Sequence, residues 1–148
     1  YDYLKKLIQI NKDEKFLIIG GILEEAAKSI IQMPNVTYIP QIAKTELNSY
    51  LAKMKLGLIP YIINAHTVGV YPTKLFEYLA AGVPVLSTPL PEVAQYADND
   101  YMCISANPIN VSNLAFPMHQ VEDIINRNTW DVRWKNYVKN IEQCLELQ

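Results

Sequence analysis

A segment near the middle of the chain, residues 71–90 (YPTKLFEYLAAGVPVLSTPL), combines residue types that can bind a phosphate group. Pro72 favours a helix that begins directly after it, and Thr73 is then a natural N-cap. Such a start leaves the next backbone amides, including those of Lys74 and Leu75, without helical acceptors at the positive end of the helix dipole. The Lys74 side chain adds a positive charge, so the pattern predicts an anion site.

Glu77 follows Thr73 by four residues, so both lie on one face of the predicted helix. Helical side chains lean toward the N-terminus, and the Glu77 carboxylate can therefore reach a group beside the bound anion. A carboxylate beside a phosphate suits the hydroxyl groups of a sugar. The same residues also fit an ordinary surface helix, in which Lys74 and Glu77 form an ion pair. Spacing alone does not decide between these interpretations.

The elements that must position this segment form an alternating pattern. Short apolar runs predict five strands, at residues 16–19, 36–39, 56–60, 84–87 and 101–104. Amphipathic patterns predict helices at residues 2–10, 22–32 and 118–127, and helices that begin at caps on Thr45, Thr73 and Thr129, the middle one ending at Gly82. Strands that alternate with helices imply an α/β fold, a Rossmann-like parallel sheet with helices on both faces.

Ligands of such sheets bind beyond the carboxyl ends of the strands. Gly20, Gly21, Gln41, the loop after the third strand and the start of the central helix all fall there. Each has a plain alternative, because most glycine pairs form tight turns and a glutamine after a strand is commonly a solvated residue. Their convergence at one edge predicts a nucleotide site.

The loop between Pro60 and Pro72 has no regular period and is long for a compact α/β unit. Asn64 is the best candidate in it, because neutral amides suit sugar hydroxyls. His66 is a second candidate for hydrogen bonding in the cleft, although a lone histidine is more often a surface or packed residue.

Composition narrows the classes of function. The 148 residues, half of them apolar, fit one domain with its own core, and a formal net charge of −2 without basic runs argues against nucleic-acid binding. No apolar run approaches a membrane span. Cys103 and Cys144 are interpreted as reduced, buried residues, and His66 and His119 share no ligand spacing with them. We therefore predict neither a metal site nor a cofactor.

The motif Pro-x-Lys-x-x-Glu-Tyr-Leu-Ala-x-Gly-x-Pro-Val at residues 72–85 resembles the donor-site segment of GT-B glycosyltransferases of family 4, also called group 1. The likeness is to the branch that makes bacterial polysaccharides and cell-surface glycans. By resemblance, Thr73, Lys74 and Leu75 meet the diphosphate of a UDP- or GDP-sugar, with Lys74 in the catalytic role, and Glu77 holds the ribose hydroxyls. The LIIGG run at residues 17–21 matches the strand that ends in glycine at the donor cleft.

The sequence departs from this family at Gly69, where many members have a second glutamate near the donor sugar. The resemblance implies the C-terminal, donor-binding half of a retaining enzyme. A family domain has one more strand before residue 1, and an acceptor-binding half before that strand, so residues 1–148 are expected to be a single-domain fragment that is inactive alone.

The resemblance also implies a glycan or lipid-linked acceptor and a cytoplasmic location, at most peripheral to the inner face of the membrane. The rival interpretation is a non-catalytic Rossmann-like module for nucleotide binding or protein interaction. A phosphoacceptor receiver domain fits less well, because the strand at residues 16–19 ends in glycines and not in acids. Binding of nucleoside diphosphates would separate the first two interpretations.

Overall fold

The computed structural model describes residues 1–21, 24–98, 100–116 and 126–146. Within these residues, strands alternate with helices along the chain, which confirms the predicted α/β class. The elements are α1 (Asp2–Ile10), β1 (Phe16–Ile19), α2 (Glu25–Ile31), β2 (Val36–Ile39), α3 (Lys44–Leu51), β3 (Gly57–Ile59), α4 (Thr73–Ala80), β4 (Val85–Ser87), α5 (Pro91–Ala94), β5 (Met102–Ile104) and α6 (Trp130–Glu146).

The predicted strands are all present, and the differences lie at helix ends. Helix α2 begins at Glu25, later than the predicted residue 22, because Glu24 is extended. Residues 22 and 23 lie outside the described part of the chain. Most of the predicted helix 118–127, with His119, lies outside it as well. The expected Thr45 cap is wrong, since α3 begins at Lys44 without a side-chain cap. Thr129 does cap α6, where its Oγ1 accepts from the amide of Val132 at 3.4 Å.

The strands pair in two parallel ladders and not in one continuous sheet. In the first ladder, Phe16 of β1 lies opposite Val36 of β2. In the second, Val85 of the central strand β4 lies between Gly57 of β3 and Met102 of β5. No backbone hydrogen bond among the described residues joins β1 to β3. The expected sheet is thus parallel throughout but interrupted between these two strands.

Alternate side chains of the strands enter two apolar layers, one on each face. The layer beneath α1 and α2 contains Leu7, Ile8, Phe16, Ile30 and Leu86. The layer beneath α4 and α5 contains Ile59, Leu75, Leu79, Val85, Leu90, Val93, Tyr101 and Met102. Because the neighbouring residues of β4 belong to different layers, helices cover both faces, as predicted.

Helix α1 is connected to both ladders through two asparagines. Asn11, which is buried, donates from Nδ2 to the carbonyl of Ile109 at 2.8 Å and accepts from the amide of Val111 at 2.8 Å, in the segment that follows β5. Asn35, directly before β2, donates from Nδ2 to the carbonyl groups of Asn11, at 3.1 Å, and Ile8, at 3.4 Å. These bonds satisfy a buried amide and hold the end of α1 across the two ladders.

Gly57 allows α4 to approach β3 closely. A Cβ atom at this position would lie 2.5 Å from the ring of Tyr78, closer than any side chain can tolerate. Burial is the main cause that raises the pKa of Tyr78, and the charge of Glu77 raises it further, whereas a hydrogen bond with the Leu58 backbone opposes the shift. The absence of a side chain at Gly57 therefore sets the position of α4, which carries the predicted anion site.

Candidate functional site

The start of α4 differs from the expected geometry by one residue. Pro72 is the N-cap, in an extended conformation with ψ of 99°, and Thr73 is already helical and makes no side-chain cap. The prediction that Thr73 caps the helix is therefore wrong. The Leu75 amide donates to the Pro72 carbonyl at 3.0 Å, and its side chain is fully buried. Among the described residues, the amides of Thr73 and Lys74 have no acceptor, so these two remain for an anion.

Lys74 and Glu77 form an ion pair on the exposed side of α4, with 2.5 Å between Nζ and Oε2. The Lys74 side chain is 52% exposed and that of Glu77 is 29% exposed. Exposed pairs at this spacing contribute only about 0.2–0.5 kcal/mol. Competition from a phosphate oxygen or a sugar hydroxyl can therefore separate the two side chains at little cost.

A cavity of about 470 Å³ lies beside this pair, between α3, α4 and the ends of β1 and β2. Its polar lining consists of Gly20, Gln41, Lys44, Lys74 and Glu77. Its apolar lining consists of Leu17, Ile19, Ile42, Ala43, Leu47, Leu51, Met54 and Tyr78. The volume falls within the ordinary range for small-molecule sites. We call this space the donor cavity, after the ligand that the family resemblance predicts for it.

The donor cavity brings together four of the residues that the sequence singles out, namely Gly20, Gln41, Lys74 and Glu77. They come from the ends of two strands and from one helix, so only the fold makes them neighbours. A second cavity of about 470 Å³ shares Lys44, Leu47, Leu51 and Glu77 with the donor cavity and extends along α4 to Ala80 and Ala81. Two adjoining cavities therefore lie beside Glu77.

Gly20 has a backbone conformation that favours glycine, with φ of +133°. Its amide donates to the Ile39 carbonyl at 3.1 Å, and its carbonyl accepts from the Tyr38 hydroxyl at 2.9 Å. Gly21 follows on the exposed surface and does not line the donor cavity. The first glycine of the pair thus turns the chain away from β1 at the edge of the cavity.

The loop between β3 and α4 is irregular, as predicted, but it bonds largely to itself. The Asn64 side chain accepts at Oδ1 from the amides of His66, at 2.9 Å, and Thr67, at 3.0 Å. The Thr67 hydroxyl accepts from the Asn64 amide at 2.9 Å and also bonds the Ile62 carbonyl. Asn64 and His66 are exposed and do not line the donor cavity. The structure therefore does not bring these two candidates together with Lys74 and Glu77.

Sequence reasoning missed Lys44, the first residue of α3, which lines the donor cavity. The signal was present, because Lys44 follows Gln41 closely at the end of a predicted strand. Lys44 brings a positive charge to the α3 side of the cavity. It is a further candidate contact for a negatively charged ligand.

Arg133 of α6 was missed as well, and it packs against the entry to α4. Its guanidinium lies 4.2 Å from the ring centre of Tyr71 and 4.5 Å from that of Phe76, and these two rings stack 5.4 Å apart. One guanidinium nitrogen, Nη2, donates to Asn128 at 3.2 Å, whereas Nε is buried without a hydrogen-bond partner among the described residues. Burial lowers the pKa of Arg133. The stack fixes the end of the loop to the first turn of α4.

The described part of the chain can also be inspected for metal ligands, membrane spans and cysteines. There, no three His, Cys, Asp or Glu side chains lie close enough together to hold a metal ion. Of the helices described, none is both long and apolar enough to cross a membrane. Cys103 of β5 is a half-buried free thiol whose pKa is raised by burial, and the Cys144 side chain lies outside the described residues.

Together, the parallel ladders and the cavity at the carboxyl ends of β1 and β2 define an α/β protein with a candidate ligand site. Residues 2–123 match the family described as glycosyl transferases group 1, and the chain belongs to this family. A protein of Bacillus subtilis (strain 168), named as the teichuronic acid biosynthesis glycosyltransferase TuaH, is 34% identical over 68 residues. That match covers 46% of this chain and 17% of the length of the relative. The family resemblance of the central motif is therefore confirmed.

Proposed function

We propose that this chain binds the nucleotide-sugar donor of a glycosyltransferase that transfers the sugar with retention. The observation that carries the proposal is the meeting of Lys74 and Glu77 with Gly20 and Gln41 in one cavity. In a member of the group 1 glycosyl transferases, a cation and a carboxylate at a helix start suit the diphosphate and ribose of a donor such as a UDP- or GDP-sugar.

The diphosphate is assigned to the first turn of α4. Two amides without acceptors, on Thr73 and Lys74, and the positive end of the helix dipole favour an anion there. Lys74 then leaves Glu77 and stabilises the negative charge that grows on the departing diphosphate as the bond to the sugar breaks. Leu75 contributes mainly through packing, because its amide already donates to Pro72.

The remaining candidates take the other parts of the donor. Glu77, freed from Lys74, accepts hydrogen bonds from the ribose hydroxyls. Gln41, which follows β2 and lines the donor cavity, is assigned to the base, and Gly20 borders the same space. Asn64 and His66 are assigned to the donor sugar with smaller contributions, since their loop lies outside the cavity lining. No cofactor other than the donor substrate is proposed.

Transfer also needs an acceptor hydroxyl held near the anomeric carbon, which we assign to a second half of a longer protein. The named relative concerns teichuronic acid biosynthesis, which favours a cell-surface polysaccharide or its lipid-linked precursor as the acceptor. Such an enzyme would work in the cytoplasm, peripheral to the inner face of the membrane. Among the described residues that line the donor cavity, Glu77 is the only carboxylate, so the paired acids of a glycosidase are not found there.

Calorimetry with UDP, GDP and the free nucleosides tests the donor site. We expect nucleoside diphosphate binding that is much tighter than nucleoside binding. A chain that binds none of these ligands would contradict the donor site and favour the rival interpretation of a protein-interaction module.

Incubation with radiolabelled nucleotide-sugars and lipid or saccharide acceptors tests whether this chain supplies donor binding and a second half supplies acceptor binding. We expect transfer only when the N-terminal half is supplied in trans. Robust turnover by the 148 residues alone would contradict this division and move the search for catalytic groups to Asn64 and His66.

A further inference from the structure

The backbone that leads into α4, residues 71–74, has few hydrogen bonds of its own. Among the described residues, the amides of Tyr71, Thr73 and Lys74 donate to no acceptor, and Pro72 has no amide hydrogen to donate. The preceding amide, that of Val70, donates back into the loop at 3.0 Å. Side-chain packing must therefore fix the direction in which the amides of Thr73 and Lys74 point.

Arg133 provides much of this packing from α6. Its guanidinium carbon lies 4.2 Å from the ring centre of Tyr71 and 4.5 Å from that of Phe76, and the two rings stack with 5.4 Å between their centres. Tyr71 directly precedes the N-cap Pro72, and Phe76 is the fourth residue of the helix. One cation therefore contacts an aromatic ring on each side, in sequence, of the two amides without acceptors.

The contacts of Arg133 belong to a closed cluster that reaches the core. Phe76 meets Tyr96 edge to face, with ring centres 5.8 Å apart, and the Tyr96 hydroxyl donates to Oδ1 of Asn128 at 3.0 Å. The same oxygen accepts from Nη2 of Arg133 at 3.2 Å. Phe76 and Tyr96 both pack against the apolar layer beneath α4 and α5. The cluster thus connects the entry to α4 with the body of the domain.

The surroundings of Arg133 remove water from the guanidinium without supplying an ionic partner. Its Nε is buried and has no hydrogen-bond partner among the described residues, and no carboxylate among them forms an ion pair with it. A planar guanidinium can lie against two rings at once, whereas a lysine ammonium is a point charge. The two rings and Asn128, and not an ion pair, therefore hold this side chain in place.

We propose that Arg133 is a positioning residue for the diphosphate. Through the rings of Tyr71 and Phe76, it holds the entry to α4 in the orientation that presents both amides of the first turn to one anion. Arg133 itself does not touch the ligand in this role. The inference rests on the proposed function, because it assumes that a diphosphate binds at those amides.

The role has a consequence for affinity. Without the guanidinium, the entry to α4 keeps its sequence and its charge at Lys74 but loses the contact that orders it. The apparent affinity for the diphosphate then falls in proportion to the fraction of molecules in which the helix start is correctly oriented. Groups that bind the base and the ribose lie elsewhere in the donor cavity and keep their positions.

The amide chemical shifts of Thr73 and Lys74, measured by NMR without nucleotide, test the positioning. We expect both signals to move in Arg133→Ala, since the start of the helix changes orientation when the guanidinium is removed. Lys135→Ala removes a positive charge from an exposed position on the same helix and is the matched control, in which both signals should stay in place. Unchanged signals in Arg133→Ala would overturn the proposal, whatever the protein binds.

Calorimetry with UDP and uridine, well below the unfolding midpoint, measures the consequence for binding. We expect Arg133→Ala to weaken UDP binding about threefold to tenfold and uridine binding by less than about twofold. A lower unfolding midpoint with unchanged UDP affinity would show that Arg133 only stabilises α6, and an equal loss for both ligands would also overturn the proposal. Failure of the unaltered protein to bind UDP would instead contradict the proposed function, and the NMR comparison would still decide the positioning.

Variants of Tyr71 distinguish positioning from direct contact between Arg133 and the phosphates. Tyr71→Phe keeps the ring and should bind UDP as the unaltered protein does, whereas Tyr71→Ala should lose about as much affinity as Arg133→Ala. If Arg133 acts through the rings, the double alanine variant should bind UDP about as well as either single variant. Losses that add fully would show that Arg133 contacts the ligand independently of Tyr71 and would overturn the positioning role.

Discussion

The start of α4 and the loop before it are contiguous in sequence, yet they use their polar side chains differently. On α4, Lys74 and Glu77 contact each other and border the donor cavity. In the loop, Asn64 and Thr67 bond the backbone of their own turn. Closeness in sequence therefore does not make polar residues equally available to a ligand. Those held by a weak exposed pair can turn to a ligand, whereas those that close a turn would have to break it.

The two regions are joined at Tyr71, the last aromatic residue of the loop. Its ring stacks on Phe76 of α4 with planes only 6° apart, and Arg133 lies against both rings. Phe76 in turn meets the edge of Tyr96. The helix start is thus fixed by packing from the far end of the chain, while the middle of the loop, around Asn64, depends on its own hydrogen bonds.

Replacement of Lys74 by alanine should give the largest change in binding. Loss of a charged contact to the diphosphate is worth about 1.5–3 kcal/mol, or roughly 10-fold to 100-fold in affinity for UDP or GDP. The free nucleoside should bind almost as before, and calorimetry can measure both. Equal losses for both ligands would show that Lys74 does not contact the phosphates.

Lys28→Ala is the matched control for this variant. Lys28 pairs with Glu25 on α2 at the same spacing, with 2.6 Å between the charged atoms, but does not line the donor cavity. Its removal takes away the same charge and the same kind of exposed pair. We expect nucleotide affinity to change by less than about twofold, which would separate a local role of Lys74 from an effect of net charge.

The sequence predicts the ladders well because a buried parallel strand carries its own signature, as the apolar runs of β1 and β4 show. The sequence of one strand does not specify which strand pairs with it, so the sequence does not predict that β1 and β3 are unpaired. Both misplaced caps have one cause. The N-caps are Pro72 and Ala43, both in the extended conformation, and not Thr73 and Thr45. Backbone geometry decides which residue is the N-cap, and residue type only biases that choice.

The site shows the same division between local and tertiary information. Lys74 and Glu77 could be found because both their spacing and their motif lie within a single helix. Lys44 gave only the weaker signal of following Gln41 closely, since its place on the cavity wall depends on how α3 packs toward α4. The sequence also could not show that Asn64 closes a turn, because an asparagine in a loop has the same sequence pattern whether it closes a turn or binds a ligand.

Replacement of Glu77 by glutamine should give the next largest effect. Glutamine keeps the size and one acceptor but loses the charge, so the hydrogen bond to the ribose weakens and is not abolished. We expect affinity for UDP to fall by roughly tenfold, and affinity for its 2′,3′-dideoxy analogue to change little. Glu25→Gln, in the matching pair on α2, is the control. A similar response of the two ligands to Glu77→Gln would rule out the ribose contact.

Asn64→Asp should have a smaller effect, confined to the sugar. Aspartate keeps the Oδ1 acceptor that receives the amides of His66 and Thr67, so the turn should persist. It removes the Nδ2 donor, which has no partner among the described residues and is the group proposed to meet a sugar hydroxyl. A neutral hydrogen bond is worth about 0.5–1.5 kcal/mol. We therefore expect UDP-glucose or GDP-mannose, but not UDP or GDP, to bind about threefold to tenfold more weakly.

Asn64→Ala distinguishes the turn from the ligand contact. This variant loses both the acceptor and the donor, and loss of a side chain that closes a turn costs about 0.5–2 kcal/mol of folding stability by analogy with helix caps. Thermal unfolding should register that loss for alanine and not for aspartate. If Asn64→Asp leaves sugar-nucleotide binding unchanged while Asn64→Ala weakens it, Asn64 acts through the turn alone.

His66→Ala should give the smallest change of the series. The backbone of His66 is held by Asn64, but its exposed imidazole makes no hydrogen bond within the described residues. Removal of such a surface group usually alters stability by less than about 0.5 kcal/mol. A contact made to the donor sugar from an exposed loop should contribute little more, so we expect UDP-glucose or GDP-mannose affinity to fall by less than about threefold. Titration of both ligands into the variant and into Asn64→Asp measures this on one scale. A loss above tenfold for the sugar nucleotide, with UDP and GDP unaffected, would place the imidazole against the sugar and show that the loop closes over the donor cavity when the ligand binds.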